Sequence, residues 1–383
     1  IAGFLLCSDG PHRKAVLAVA VVLNVGLLSV FKYLDFAVGN INTLFGAEIP
    51  LPGIVLPIGI SFYTFQGMSY VIDVYRDRSM GTKNFAKLLL FISFFPQLVA
   101  GPIVRYSTVA SELNSRRVTA DDFAYGVKRF TAGMCKKVML ANSSGAVASM
   151  VLDSTRLTVA SSWLGIIMYT FQIYFDFSGY SDMAIGLGRM LGFHFGENFE
   201  YPYISRSITE FWRRWHVSLG SWFREYLYFP LGGNRRGNVY VNLFIVFFIT
   251  GFWHGAGWVY LLWGTIHGVC IIIEKFLTKK NIYGKIPAVI QWGITMFIVG
   301  LGWVFFKTGN LSEAVLYYRQ MFGLTGTQNI LFSFSYLCRA ARSGPPSFYR
   351  PLQVFFFFFI SFLEFNHNFF NSPSHFAHIF PVY

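Results

Sequence analysis

The sequence predicts an all-helical, polytopic membrane protein, and three observations carry that expectation. Hydrophobic residues make up 54% of the 383, and charged residues only 13%. A soluble domain carries about 25% charged residues. The apolar residues fall in runs that approach the roughly 20 needed to cross a bilayer. Several of these runs contain Pro, Gly or a lone ionisable residue, which predicts kinked, re-entrant and interfacial helices besides full spans.

The first span is expected over residues 15–31, followed by Lys32 and Asp35 and an Asn-, Gly- and Pro-rich loop to about residue 53. The apolar stretch 54–75 follows and holds Pro57, Gly59, Gly67 and Asp73. Residues 85–104 read as a helix broken at Phe95-Pro96-Gln97. Residues 105–126 are polar and suit the interface, and 127–150 is amphipathic with Lys128, Arg129, Lys136 and Lys137. Residues 163–191 form a long apolar run that holds Gln172, Asp176, Ser178, Ser181 and Asp182. Residues 197–238 are polar and aromatic, 239–273 are apolar with an interruption at 251–255, and 287–306 is a further span. This gives seven to nine membrane segments, some of them short of a full crossing. The chain opens at Ile1 in running sequence with no cleavable signal, so it reads as N-terminally truncated. Residues 1–332 read as one membrane-embedded domain. Residues 333–383, with the Phe355–Phe359 run, read as an atypical tail compatible with one span over 354–363.

The formal net charge is +13. Its basic residues sit between apolar runs, so they suit span orientation and anionic headgroups rather than nucleic acid. Cys7, Cys135, Cys270 and Cys338 are far apart and form no C-x-x-C, which predicts buried free thiols rather than a disulfide framework or zinc site. No metal-ligand spacing, nucleophile elbow or P-loop occurs.

Ionisable groups in apolar segments are costly and mark candidate sites. Asp176 and Asp182 flank Ser178, Gly179 and Ser181. They suit either pairing with arginines and freed backbone or a part in the chemistry. Ser207 and Glu210 have capping-box spacing, which predicts a helix with Trp212, His216 and Leu219 on one face and Glu210 beside Arg214. Arg206, Arg213, Arg214 and Arg224 could bind carboxylate or phosphate. His254 lies in Gly251-Phe252-Trp253-His254-Gly255, where small neighbours permit close approach. An imidazole there suits a general base or a helix-packing residue. His267 is a weaker candidate, and His12, His194, His367, His375 and His378 read as loop or tail residues.

Six stretches in one order, LPIGISFYTFQ at 56–66, FPQLVAGPIVR at 95–105, QIYFDFSGYSDMAIG at 172–186, ENFEYPY at 197–203, FWRRWH through PLGG at 211–233, and WHG at 253–255, make the chain recognisable. It resembles the membrane-bound O-acyltransferase family, in its bacterial alginate O-acetylase-like branch, over about residues 22–306. The resemblance implies a helical fold around an internal tunnel in the cytoplasmic (inner) membrane. It implies that His254 is the active-site histidine and general base, with His216 orienting or polarising the reactants. Arg213, Arg214, Arg224, Asp176, Asp182 and Trp253 are supporting or donor-binding candidates. A thioester such as acetyl-CoA would be the acyl donor, with no permanently bound cofactor. An extracytoplasmic polysaccharide would be the acceptor, reached through an esterase-like partner protein. The alternatives are D-alanyl or other acyl transfer to teichoic acid or lipid and, in a different class, a transporter.

Overall fold

The computed structural model describes residues 2–7, 11–98, 101–152 and 157–325. Among the described residues there are helices and one isolated bridge, Phe199 to Trp215, but no strand. The atypical tail, with Cys338 and the three tail histidines, lies outside them. The chain divides into two compact units, one of Ile1–Met134 and Phe177–Leu316, the other of Cys135–Asp176 and the chain from Tyr317.

The first unit begins with α1 (Ala2–Leu6) and α2 (Arg13–Phe45). The loop expected after residue 31 is not there: α2 continues 14 residues further and stops at Gly46, which takes the left-handed conformation at φ 62°. Polar residues do not break it because they fold back onto their own helix. Asn24, Asn40 and Thr43 donate to the carbonyls of Ala20, Phe36 and Gly39 at 2.8, 2.6 and 2.8 Å. Such back-bonding satisfies side chains where water is absent. The most apolar window of α2 is only 11% buried within the protein, as a lipid-facing span requires.

Next come α3 (Ile60–Arg76), α4 (Phe85–Ser93), α5 (Phe95–Leu98), α6 (Tyr106–Asn114) and α7 (Ala120–Cys135). The expected break near Pro96 occurs at Phe94. The polar stretch 105–126 holds α6 and the start of α7. After α8 (Asn142–Leu152), α9 (Val159–Met190) begins in the second unit and ends in the first. Within the first unit α7 and α9 touch through small residues: a Cβ on Gly126 would lie 2.6 Å from the Gly186 carbonyl oxygen. The rest of this unit is α10 (Ile208–Arg214), α11 (Val217–Phe223), α12 (Val239–His254), α13 (Trp258–Lys279), α14 (Ala288–Thr308) and most of α15 (Leu311–Met321).

By length and composition α2, α13 and α14 can each cross a membrane, while α12 is a shorter apolar helix of 16 residues. α12 and α13 form an antiparallel hairpin broken at 255–257, within the interruption expected from the sequence. In the second unit, a π-helical stretch (Lys136–Ala141) leads into α8, whose Val147, Ala148 and Val151 pack with Met168 of α9. The Tyr317 hydroxyl donates to the Ser162 carbonyl at 2.5 Å. The expectation of buried thiols fails for the described cysteines: Cys135 is exposed, and Cys7 and Cys270 are half-buried. Cys135 is the last residue of α7.

Candidate active site

His254 is the last residue of α12. The helix ends there because Gly255, Ala256 and Gly257 reverse the chain into α13. A Cβ on Gly255 would lie 2.2 Å from the Tyr260 ring, so the turn closes only over glycine. The imidazole sits half-buried in an aromatic cage, edge-on to Trp253, Trp263 and Phe306 at 5.0, 5.0 and 5.2 Å between centroids. Among the described residues nothing hydrogen-bonds its ring.

The end of α12 is held from α2. The Tyr33 hydroxyl donates to the Phe252 carbonyl at 2.7 Å, and Lys32 Nζ donates to the Trp253 carbonyl and to Ser61 Oγ. These carbonyls have no partner inside α12. A lysine in a span is costly unless paired, and the negative pole of a helix suits its charge.

His216 does not share a helical face with Trp212 and Leu219. α10 ends at Arg214, and His216 stands between α10 and α11 with φ 47° and ψ 54°. Residues 198–200 cause the break. Glu200 N donates to Arg214 O and Val217 N to Asn198 O, both at 2.9 Å, and the Phe199–Trp215 bridge lies between them. This pairing draws 215–217 out of the helix. A non-glycine residue in the left-handed region is strained, and such strain collects at functional sites. Nδ1 of His216 lies 3.0 Å from Asn198 Oδ1, and the ring is edge-on to Phe177 at 4.7 Å. Burial pushes the imidazole down to about 3, so it is neutral at physiological pH.

α10 itself is fixed at its N-terminus. Ser207 Oγ accepts from Glu210 N at 3.0 Å, and Glu210 Oε2 accepts from Arg206 N at 2.8 Å. This resembles a capping box shifted by one residue. Glu274 of α13 accepts from the backbone nitrogens of Ile208 and Thr209 at 2.8 and 3.3 Å.

The remaining candidates separate by what holds them. Trp253 is buried against Phe65 and adjoins His254. Arg214 pairs with Glu210 at 2.9 Å and donates to the Glu200 carbonyl, which stabilises the 198–216 crossing. Arg213 and Arg224 are exposed. Asp182 is taken up by Arg129, at 2.7 Å, and Asp176 belongs to the second unit, where it pairs with Lys137. His267 is 2% exposed between Trp212 and Trp263, with Trp212 Nε1 donating to its Nδ1 at 3.4 Å. His194, a loop residue, pairs with Glu112. Among the described residues no cluster of His, Cys, Asp and Glu could hold a metal. Sequence reasoning left Lys32, Tyr33, Asn198, Ser218 and Glu274 without a role at the site. Lys32 carried a signal as a lone cation following an apolar run, and Asn198 and Ser218 lay within stretches that carry the resemblance.

The MBOAT, membrane-bound O-acyltransferase, family profile matches residues 75–299. The chain is 44% identical to a probable alginate O-acetylase of Pseudomonas aeruginosa, over 92% of this chain and 72% of that protein. It is 36% identical to a peptidoglycan O-acetyltransferase of Helicobacter pylori, over 82% of this chain and 66% of that protein. It is 31% identical to a teichoic acid D-alanyltransferase of Streptococcus thermophilus, over 60% of this chain and 59% of that protein. Both candidate histidines fall inside the matched span. The helical membrane architecture, the matched profile and the length shared with the Pseudomonas protein together establish that this chain belongs to the membrane-bound O-acyltransferase family.

Proposed function

We propose that this acyltransferase moves an acyl group, acetyl in the first instance, from a thioester donor to hydroxyls of an extracytoplasmic polysaccharide, with His254 as general base. The observation that carries the reading is the His254 imidazole, caged by aromatic rings yet without a hydrogen bond of its own. A ring so placed keeps a lone pair that no described protein group occupies, and it can accept the proton of a hydroxyl docked against it. His254 takes the proton of the acceptor hydroxyl as its oxygen attacks the thioester carbonyl. Collapse of the tetrahedral intermediate breaks the carbon–sulfur bond, and the proton passes to the departing thiolate. The products are an ester and a free thiol. In this reading His216 orients or polarises the same reactants.

Acetyl is preferred over D-alanyl because identity is 44% with the alginate O-acetylase and 31% with the teichoic acid enzyme. The family consists of acyltransferases, which removes the ground for a transporter. Orientation follows the positive-inside rule. Arg13 donates to the carbonyls of Val74 and Tyr75, and Arg76 to that of Glu225, so the basic ends of α2 and α3 meet the turn before α12. This end would face the cytoplasm in the cell membrane and admit the donor. The acyl group would leave on the far side, to an esterase-like partner that completes transfer.

The test is transfer of labelled acetyl from acetyl-CoA in membranes carrying the protein, with and without His254→Ala. Transfer lost in the variant, with equal protein in the membrane, is expected. Undiminished turnover in His254→Ala would remove the base assignment. Labelling from a D-alanyl carrier thioester alone would move the donor to the second reading.

A further inference from the structure

Asn198 is fully buried, and its amide meets four groups. Its Oδ1 lies 3.0 Å from His216 Nδ1, 3.2 Å from the backbone nitrogen of Ser218 and 2.8 Å from Ser218 Oγ. Its Nδ2 donates to Ser181 Oγ at 2.9 Å. An amide's oxygen and nitrogen are told apart by their partners. The Ser218 backbone N–H can only donate, so the amide atom facing it is the oxygen. Ser218 Oγ accepts from Ile103 N at 3.0 Å, which leaves its own hydrogen for the same oxygen. An amide oxygen can only accept. The proton between Asn198 and His216 therefore resides on Nδ1, and the neutral ring carries its lone pair on Nε2.

We propose that Asn198 is a positioning residue that fixes His216 as the Nδ1–H tautomer, so that His216 offers Nε2 only as an acceptor and engages the attacking hydroxyl rather than the thioester oxygen. This rests on the acyl-transfer reading above and deepens it. A neutral His216 cannot donate to a developing oxyanion, so that charge is met by other donors. What His216 does is accept a hydrogen bond from the acceptor hydroxyl as it docks and so aim the oxygen lone pair; the one hydroxyl hydrogen passes to His254 as the oxygen attacks. The left-handed backbone at residue 216 and the buried amide behind it serve one end, the direction in which Nε2 points.

The experiment compares pH–rate profiles for acetyl transfer by the wild type, Asn198→Asp and Asn198→Ala in membranes, normalised to protein present. A carboxylate at 198 would still accept from Nδ1 and Ser218 N, but it favours the protonated imidazole, by about one to three pH units for a close pair. Protonated Nε2 is a donor and no longer an acceptor. The expected result for Asn198→Asp is an acid limb of kcat that lies about one to three pH units above that of the wild type, with activity recovered as pH rises through it. Asn198→Ala is expected to lose on the order of 10²-fold in kcat at every pH, with donor KM little changed. An Asn198→Asp profile parallel to the wild type overturns the proposal, because a merely structural amide would lower activity without moving the limb. If Asn198→Asp does not accumulate, Ser181→Ala decides. Loosening the amide from Nδ2 should lower kcat with KM unchanged, and an unaltered kcat would refute the role. Wild-type transfer that depends on His254 alongside an unmoved limb would fail this inference alone. Absence of transfer in the wild type would fail the reading beneath it.

Discussion

Replacing Gly251 by alanine should separate the chemistry from the fold. Gly251 in α12 faces Gly264 in α13: a Cβ on Gly251 would lie 2.4 Å from the Tyr260 carbonyl oxygen and 3.0 Å from Gly264 Cα. Ordinary carbon contacts lie at about 3.5–4.0 Å, so the helices must part by about 1 Å. Both opposing atoms are backbone, and no side chain can swing aside. His254 follows Gly251 by one helical turn, while His216 is carried by a separate element. The strain therefore becomes a displacement of one histidine relative to the other. A misplacement of about 1 Å costs on the order of 10²-fold in rate, and overpacking costs about 1–3 kcal/mol of stability. The assay is kcat for acetyl transfer beside a thermal unfolding curve in detergent. Gly251→Ala should lose far more kcat than its lowered midpoint explains at the assay temperature. Gly300→Ala in α14, where nothing lies within 4 Å of the added carbon, should leave kcat unchanged. Equal kcat for Gly251→Ala and wild type, or equal loss in both variants, would refute the account.

Lys32→Met should lower kcat by about 10-fold, since it uncaps the Trp253 carbonyl beside His254, and Lys32→Arg should recover part of it. Glu274→Gln should weaken the cap on α10 and lower stability by about 1 kcal/mol, read as a lower unfolding midpoint with donor KM unchanged. Asp182→Asn should lower that midpoint more than Glu197→Gln, because of Arg129's two partners Asp182 is the buried one. The His216 imidazole titrates at about 3 in the folded chain, against about 6.5 unfolded. As pH falls below the unfolded value the unfolded chain takes up a proton that the native state refuses. The contribution of His216 to native stability should therefore be constant above neutrality and fall by about 1.4 kcal/mol per pH unit from about pH 6.5 downward. His216→Asn should flatten that decline by one proton's worth, and an unchanged slope would contradict the buried, neutral ring.

The helical membrane fold was legible because lipid demands long apolar runs, and these survive in composition and spacing. The break at 255–257 was legible for a similar reason, since closely spaced small residues in an apolar run have few other uses. What misled was polarity inside a run. Lys32 and Asp35 read as the end of a span, yet α2 passes both and ends at Gly46, because Lys32 has the Trp253 carbonyl as its partner. That partner is 221 residues away and leaves no local trace. His216 misled in the opposite direction. Its i, i+4 spacing from Trp212 was sound helix arithmetic, but residues 198–200 compete for the backbone of 214–217 and win. Helical periodicity cannot register a competitor that belongs to another part of the chain.

Both histidines stand where a helix stops, and membrane physics gives a reason. Inside a helix the backbone is satisfied and the side chain points wherever the period sends it. At a break the backbone can turn a ring toward a chosen place, but in an apolar medium the freed groups must find partners. Here they do: Tyr33 and Lys32 take the carbonyls of Phe252 and Trp253, and Asn198 and Glu200 engage the backbone of Val217 and Arg214. The residues that make each break tolerable thus also fix the backbone from which each imidazole projects. A substitution at Lys32 or Asn198 should consequently disturb catalysis before it disturbs the span. Loss of a lipid-facing residue such as Val22, 67% exposed on α2, should do neither.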